Sequence, residues 1–286
     1  MDLFEEKTER YLTLQEAVNS IKEMIEEAIT TGGETAKNNL IRSQGPINLL
    51  HNVVKAELIR QSVNKDRVNP PYGHTSPELC LAGYFKTKNQ DVCVLPNDKQ
   101  KKKEFLAFEG ILNGKLDSYG SDLTEAILSI NVRSQLSSAA KNFDTLYERT
   151  FAEALNLHLR CPKMVLGEFY MIPVFEYDDK ACRENRIEFI SNNNISKHIE
   201  KYALSFNAIN NRSTIIGEEF KYERVCLLIV DFSKDTPVIY NTNEELKEAG
   251  LLPKDTIANI NNMNFPTFIS SLLAIYSSRF GEGKFT

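Results

Sequence analysis

The stretch from Ala126 to Arg160, AILSINVRSQLSSAAKNFDTLYERTFAEALNLHLR, constrains the fold of this chain more than any other segment. Ala126-Ile127-Leu128-Ser129-Ile130 is apolar enough to be a strand covered on both faces. Asn131, Arg133, Ser134 and Gln135 follow at its C-terminal end, where open α/β sheets place their chemistry. Beyond a short polar turn, Phe143, Leu146, Tyr147, Thr150, Phe151, Ala154, Leu155 and Leu159 recur at helical spacing and form one stripe. A strand buried on both faces and a helix apolar along one face can satisfy each other only by packing helix on sheet.

The rest of the chain extends that arrangement. Residues 10–30 predict a first helix, stopped by Thr31-Gly32-Gly33, and residues 46–63 a second. Leu79–Phe85 and Asp91–Leu95 read as short strands joined by a polar turn, Lys86–Gln90, and Phe105–Leu112 as a further strand of the same sheet. Asn97–Glu104 reads as an exposed hairpin tip or loop. Met164–Val174 and Val225–Val230 are core strands, Ser191–Ala208 is helix plus loop, and Phe265–Tyr276 is a closing helix. The expected class is α/β (α+β), a mixed central sheet flanked by helices. Residues 1–75 form a helical region packed on the core, and residues 76–286 form the α/β core itself.

Several function classes drop out. The net charge of -5 argues against a generic polyanion-binding surface, though not against a basic cleft within an acidic shell. The five cysteines are odd in number and widely spread, with no CxxC pair, so buried reduced thiols are expected rather than a disulfide frame or a structural zinc. No stretch approaches the roughly 20 apolar residues of a membrane span. The acidic start MDLFEEKTER is wrong for a signal or transit peptide, and a cytoplasmic protein is expected. There is no phosphate-binding glycine loop, dinucleotide motif or GxSxG elbow. His51, His74 and His198 lack metal-ligand spacing, and His158 reads as a satisfied core residue.

The chemistry converges on two strands. Asp91 opens the apolar strand Val92–Leu95, a place suited to an oxygen ligand for Mg²⁺. Strand alternation puts Asn131, Arg133 and Gln135 on one face of the second strand. A carboxylate facing an Asn-x-Arg pair has the layout of metal-assisted phosphodiester hydrolysis.

At these residues the sequence resembles a known family. GYF at Gly83–Phe85, then Asp91, then RSQ at Arg133–Gln135, KNF at Lys141–Phe143 and Glu148 are similar to the Xho-type type II restriction endonucleases of the PD-(D/E)XK nuclease superfamily. The similarity covers about residues 80–230. The resemblance implies a restriction-endonuclease-like fold and Mg²⁺-dependent cleavage of double-stranded DNA at a specific, palindromic site. It also implies a homodimer and a cognate methyltransferase. Asp91 takes the place of the family's metal-binding aspartate, Asn131 that of its catalytic glutamate and Arg133 that of its catalytic lysine. Asparagine is a weaker Mg²⁺ ligand than a carboxylate, and arginine is a poor proton acceptor. The resemblance implies two rescues as options: Glu148 as the replacement carboxylate and second metal ligand, and Lys141 as the replacement amine. Glu78 and Glu125 are weaker alternatives. Gln135, Lys101, Lys102 and Arg212 are the expected DNA contacts, the last from the Asn- and Arg-rich region Tyr177–Thr214. The two departures raise a second reading, a catalytically impaired nuclease fold that binds DNA or a partner. A third is an unrelated α/β interaction protein.

Overall fold

The computed structural model describes residues 10–107, 109–190 and 194–286. In chain order its helices are α1 (Leu14–Arg42), α2 (Gln44–Arg60), α3 (Ser121–Glu125), α4 (Ala139–His158), α5 (Asp179–Arg183), α6 (Ile195–Ala208), α7 (Asn243–Glu248) and α8 (Phe265–Phe280). Its strands are β1 (Val68–Asn69), β2 (Leu79–Ala82), β3 (Thr87–Gln90), β4 (Val92–Val94), β5 (Glu104–Phe105), β6 (Leu116–Asp117), β7 (Leu128–Ser134), β8 (Val165–Pro173), β9 (Arg224–Asp231) and β10 (Val238–Tyr240).

Six strands form one mixed sheet in the order β1-β4-β7-β8-β9-β10. The central three, β7, β8 and β9, are parallel, and the outer pairings are antiparallel. β8 is buried at every one of its nine positions, as a central parallel strand must be when helices cover both faces. Side-chain alternation splits the core in two. Leu128, Ile130 and Val132 face a layer built from α1, α2 and α8, whereas Leu166, Tyr170 and Ile172 face a layer built from α4, α6 and α7. The class is mixed α/β, a three-layer arrangement, and no helix among the described residues is long and apolar enough to cross a membrane. Residues 10–75 contribute α1 and α2, which share one helical layer with α8, and an edge strand through β1.

Three elements differ from the sequence expectation, each for a long-range reason. The span of α1 is two helical segments joined at a kink: Gly33 takes φ 65° and ψ -153°, outside the helical region, so the first segment stops at the Thr31-Gly32-Gly33 signal, and the second, which the sequence reading did not expect, runs on to Arg42. A Cβ there would meet the Cys182 carbonyl oxygen at 2.9 Å, so α5 packs against the kink and Lys37, buried beyond it, pairs with Asp179. The segment Lys86–Gln90, expected as a turn, is largely strand β3, and the turn lies at Gly83–Lys86 instead. Asn156 of α4 makes this turn: its Oδ1 accepts from Phe85 N (2.7 Å) and Lys86 N (3.1 Å), while its backbone carbonyl accepts from Tyr84 N (2.7 Å). Phe105–Leu112, expected in the main sheet, instead supplies only Phe105 to a strand, pairing with β6 in a separate hairpin, and residue 108 of that segment lies outside the described residues. Arg160, next after the C-cap of α4, ties that hairpin down through Glu104 (2.6 Å), Asp117 (2.5 Å) and the Ala82 carbonyl (2.7 Å). α4, β8, β9 and α8 lie where the apolar patterns put them. α6 does too, except that the first residues of the segment expected at 191–208 lie outside the described residues.

Candidate active-site cleft

The end of β7 opens into a cleft of about 370 Å³ whose wall carries Arg42, Lys88, Asp91, Arg133, Gln135 and Arg149. Asp91 sits in the bend between β3 and β4, and its Oδ2 accepts from Val132 N at 2.8 Å. That bond fixes the carboxylate against β7 at the point where β4 stops pairing with it. Four cations and a single carboxylate line this cleft, so its field favours an anion despite the protein's negative total charge.

Beneath the cleft, β7 and α4 enclose an ionic cluster. Asn131 lies opposite Glu168 in the β7–β8 register. Asn131 Oδ1 accepts from Lys88 Nζ at 3.3 Å, and its Nδ2 donates to Tyr222 Oη at 3.2 Å. The Tyr222 hydroxyl in turn donates to the Thr150 carbonyl at 2.8 Å. Glu153, on α4, receives both Lys88 and Arg133 on one oxygen, and Arg149 Nε stands 3.5 Å from the other. Arg133 Nε lies 3.0 Å from Glu168.

Burial sets the charge states. It opposes ionisation of Glu153, but Arg133, Lys88 and Arg149 more than offset that and hold its carboxyl below the usual range. Glu168 is fully buried, and burial pushes it up to about 7 in spite of Arg133. Burial works against the Arg133 charge as well, and Glu168, Tyr222 and Glu153 overcome it, raising its pKa. Arg133 is thus a permanent cation, able to steady a phosphate but not to take a proton.

A second group stands behind Asp91. Burial and the Asp91 charge together raise the pKa of Glu78. Burial lowers that of His51, against the pull of Asp91, and leaves its Nε2 without a hydrogen-bond partner. Lys55 is pushed down to about 8 by burial, its ammonium donating to the His74 carbonyl at 2.7 Å.

The expected site residues are divided by the fold. Asp91 and Gln135 line the cleft together with Arg133, and Asn131 lies below it. Gln135 Nε2 turns back to the Ser137 carbonyl. Glu148 and Lys141 are exposed on α4, and neither lines the cleft. Both sit on the wrong side of the helix: the face that meets the cluster carries Arg149 and Glu153. Arg212 is buried, bound to Glu223 (3.2 Å) and the Pro162 carbonyl (2.8 Å), so its guanidinium is occupied inside the protein rather than available to DNA. Lys101 and Lys102 are exposed beside the β5–β6 hairpin, outside the cleft. His158 is a satisfied core residue, its two nitrogens 3.0 and 3.2 Å from the carbonyls of Glu219 and Met164.

The residues that sequence reasoning missed are Lys88, Glu153, Glu168 and Tyr222. Two of them carried a signal. Glu168 is a lone carboxylate inside the apolar run VLGEFYMIPV, and Glu153 adjoins the apolar stripe of α4; a buried carboxylate requires a partner. Lys88 had none, because its segment reads as a turn.

Among the described residues no group of three or more His, Cys, Asp and Glu could hold a metal, but Mg²⁺ is commonly held by one or two carboxylates plus water and phosphate oxygens. Here the Lys88 ammonium already spans Asn131 Oδ1 and the Glu153 carboxylate, and Glu153 Oε1 is buried without a hydrogen-bond partner. A cation therefore already occupies an all-oxygen position beside the cleft that holds Asp91.

No protein-family model, curated protein or solved structure matches this chain.

Proposed function

We propose that this protein is a type II restriction endonuclease, hydrolysing phosphodiester bonds of double-stranded DNA with Mg²⁺ at a specific, two-fold symmetric sequence. The observation that carries the reading is the convergence of Asp91 with Lys88, Arg133 and Arg149 in one cleft, over the Glu153 carboxylate. A mixed sheet flanked by helices on both faces, with that cleft at the end of its parallel strands, supports it further. Asp91 and Glu153 are the residues that would hold Mg²⁺, and the bound ion would polarise the scissile phosphate and make a bound water acidic. Arg133 and Arg149 place and neutralise the phosphate, Arg133 from a position braced by Glu153 and Glu168. Lys88 is the amine nearest these groups, in the role that Lys141 was expected to fill. In keeping with this reading we place the protein in the cytoplasm, acting as a homodimer because a two-fold protein matches a two-fold site, alongside a methyltransferase that protects the host sequence.

A second reading has an observation of its own. Asn131 supplies an amide where a carboxylate was expected, and Arg133 is locked between two glutamates, which fits a protein that binds DNA without cutting it. Incubation of unmethylated duplex DNA with Mg²⁺ separates the two. The endonuclease reading requires discrete fragments that vanish in Asp91→Ala and Glu153→Gln while DNA binding persists. Binding by the wild type with no fragments at all selects the second reading.

A further inference from the structure

One face of α4 leads out of the cleft. Leu146, Arg149, Glu153 and Asn156 are spaced three and four apart, and Arg160 continues the row past the helix end. The first two line the cleft, Glu153 anchors its cluster, Asn156 builds the Gly83–Lys86 turn, and Arg160 holds the β5–β6 hairpin. The same row that carries the candidate active site thus also seats two protruding elements. Arg160 stands eleven positions after Arg149, the last two beyond the helix end, or about 16 Å along the helix direction at about 1.5 Å per residue. That is roughly half a turn of duplex DNA, whose full turn is about 34 Å.

Both protruding elements are basic and partly apolar. The turn exposes Phe85 and Lys86. The hairpin region exposes Lys101, Lys102, Lys103 and Lys115. Glu104 and Asp117, the acidic residues of its two strands, are both bound by Arg160. Lys101 packs over the Tyr119 ring at 4.8 Å, and Lys102, Lys103 and Lys115 show no ion pair among the described residues. Phe105 and Leu116, paired across the two strands, are 74% and 50% exposed. An isolated two-stranded hairpin with an uncovered apolar pair is marginal in water, yet Arg160 holds this one rigidly in place.

We propose that the β5–β6 hairpin is a second DNA-contacting element, gripping the phosphate backbone of the same duplex about half a helical turn from the cleft. This rests on the DNA reading of the cleft and adds to it. Charge complementarity with a polyanion favours this occupant, as the turn that carries Lys86 and the hairpin beside Lys102 are both seated on the α4 row that carries Arg149. The lysines supply affinity independent of sequence, and the Phe105–Leu116 pair is covered by sugar and groove edges when the duplex is seated.

The test is binding of a labelled duplex across a salt series by the full chain carrying Lys102→Ala, Lys103→Ala and Lys115→Ala together; Lys101 is spared because it packs on Tyr119. Each phosphate contact contributes about 0.9 to the slope of log affinity against log salt. The triple variant is expected to bind more weakly, with a slope shallower by about 2 to 3, whereas Lys254→Ala, on a distant loop, keeps the wild-type slope. A triple variant with wild-type affinity and slope, alongside Arg149→Ala that loses both, overturns the hairpin proposal and leaves the cleft reading standing. A wild type that binds no duplex at low salt removes both.

Discussion

Glu153 is the residue on which the stability of the site most depends, and replacing it gives a sharp outcome. Its side chain is 2% exposed and receives Lys88 and Arg133, themselves only 19% and 16% exposed. Glu153→Ala leaves two largely buried cations without their shared carboxylate, Lys88 retaining Asn131 Oδ1 and Arg133 retaining Glu168. Breaking a buried ion pair by removing one partner costs about 3–5 kcal/mol. For a chain longer than 150 residues, 1 kcal/mol moves Tm by about 2–4 °C, so the variant should melt about 6–20 °C lower. Thermal melting followed by circular dichroism measures this directly. Glu148→Ala is the control: it lies on the same helix but is exposed, and its effect should stay within about 0.5 kcal/mol. A Glu153→Ala variant that melts with the wild type would refute the reasoning, since no buried cluster could then depend on that carboxylate.

Two further outcomes follow from the same geometry. Glu168 has its carboxyl raised from 4.5 to about 7, chiefly by burial, so the folded protein holds a proton there that the unfolded chain releases. Stability from this group is present below pH 4.5 and is lost as pH rises towards 7; Glu168→Gln should therefore gain on the wild type between pH 5 and 7 in urea titrations, and a constant gap would count against it. Asn156→Ala removes the Oδ1 that accepts from Phe85 N and Lys86 N, which should cost about 2–3 kcal/mol and raise hydrogen exchange at those two amides; unchanged exchange would show that the turn does not depend on α4.

The parts of the fold legible in the sequence are those whose signal is local and long. The stripe of α4 spans five turns, and β8 and β9 are apolar throughout, so their period or continuity identifies them. What was hidden depends on partners far along the chain. β3 reads as a polar turn because Thr87, Lys88 and Asn89 carry no apolar period; only Asn156, 70 residues away, makes the turn elsewhere. β1 and β10 are two and three residues long, too short for any pattern. The site followed the same rule. Asp91, Arg133 and Gln135 were legible from strand ends and alternation. Glu148 and Glu153 are one turn and a half apart on α4, and sequence alone did not say which face meets β7.

The central claim is that the Asp91 cleft cuts duplex DNA at one sequence. Digestion of unmethylated phage DNA by the purified protein with Mg²⁺, followed by sequencing of every new end, tests it most directly. All ends are expected to share one short two-fold symmetric sequence, and Asp91→Ala to produce none. Ends scattered without a common sequence, or ends that persist in Asp91→Ala, would contradict it.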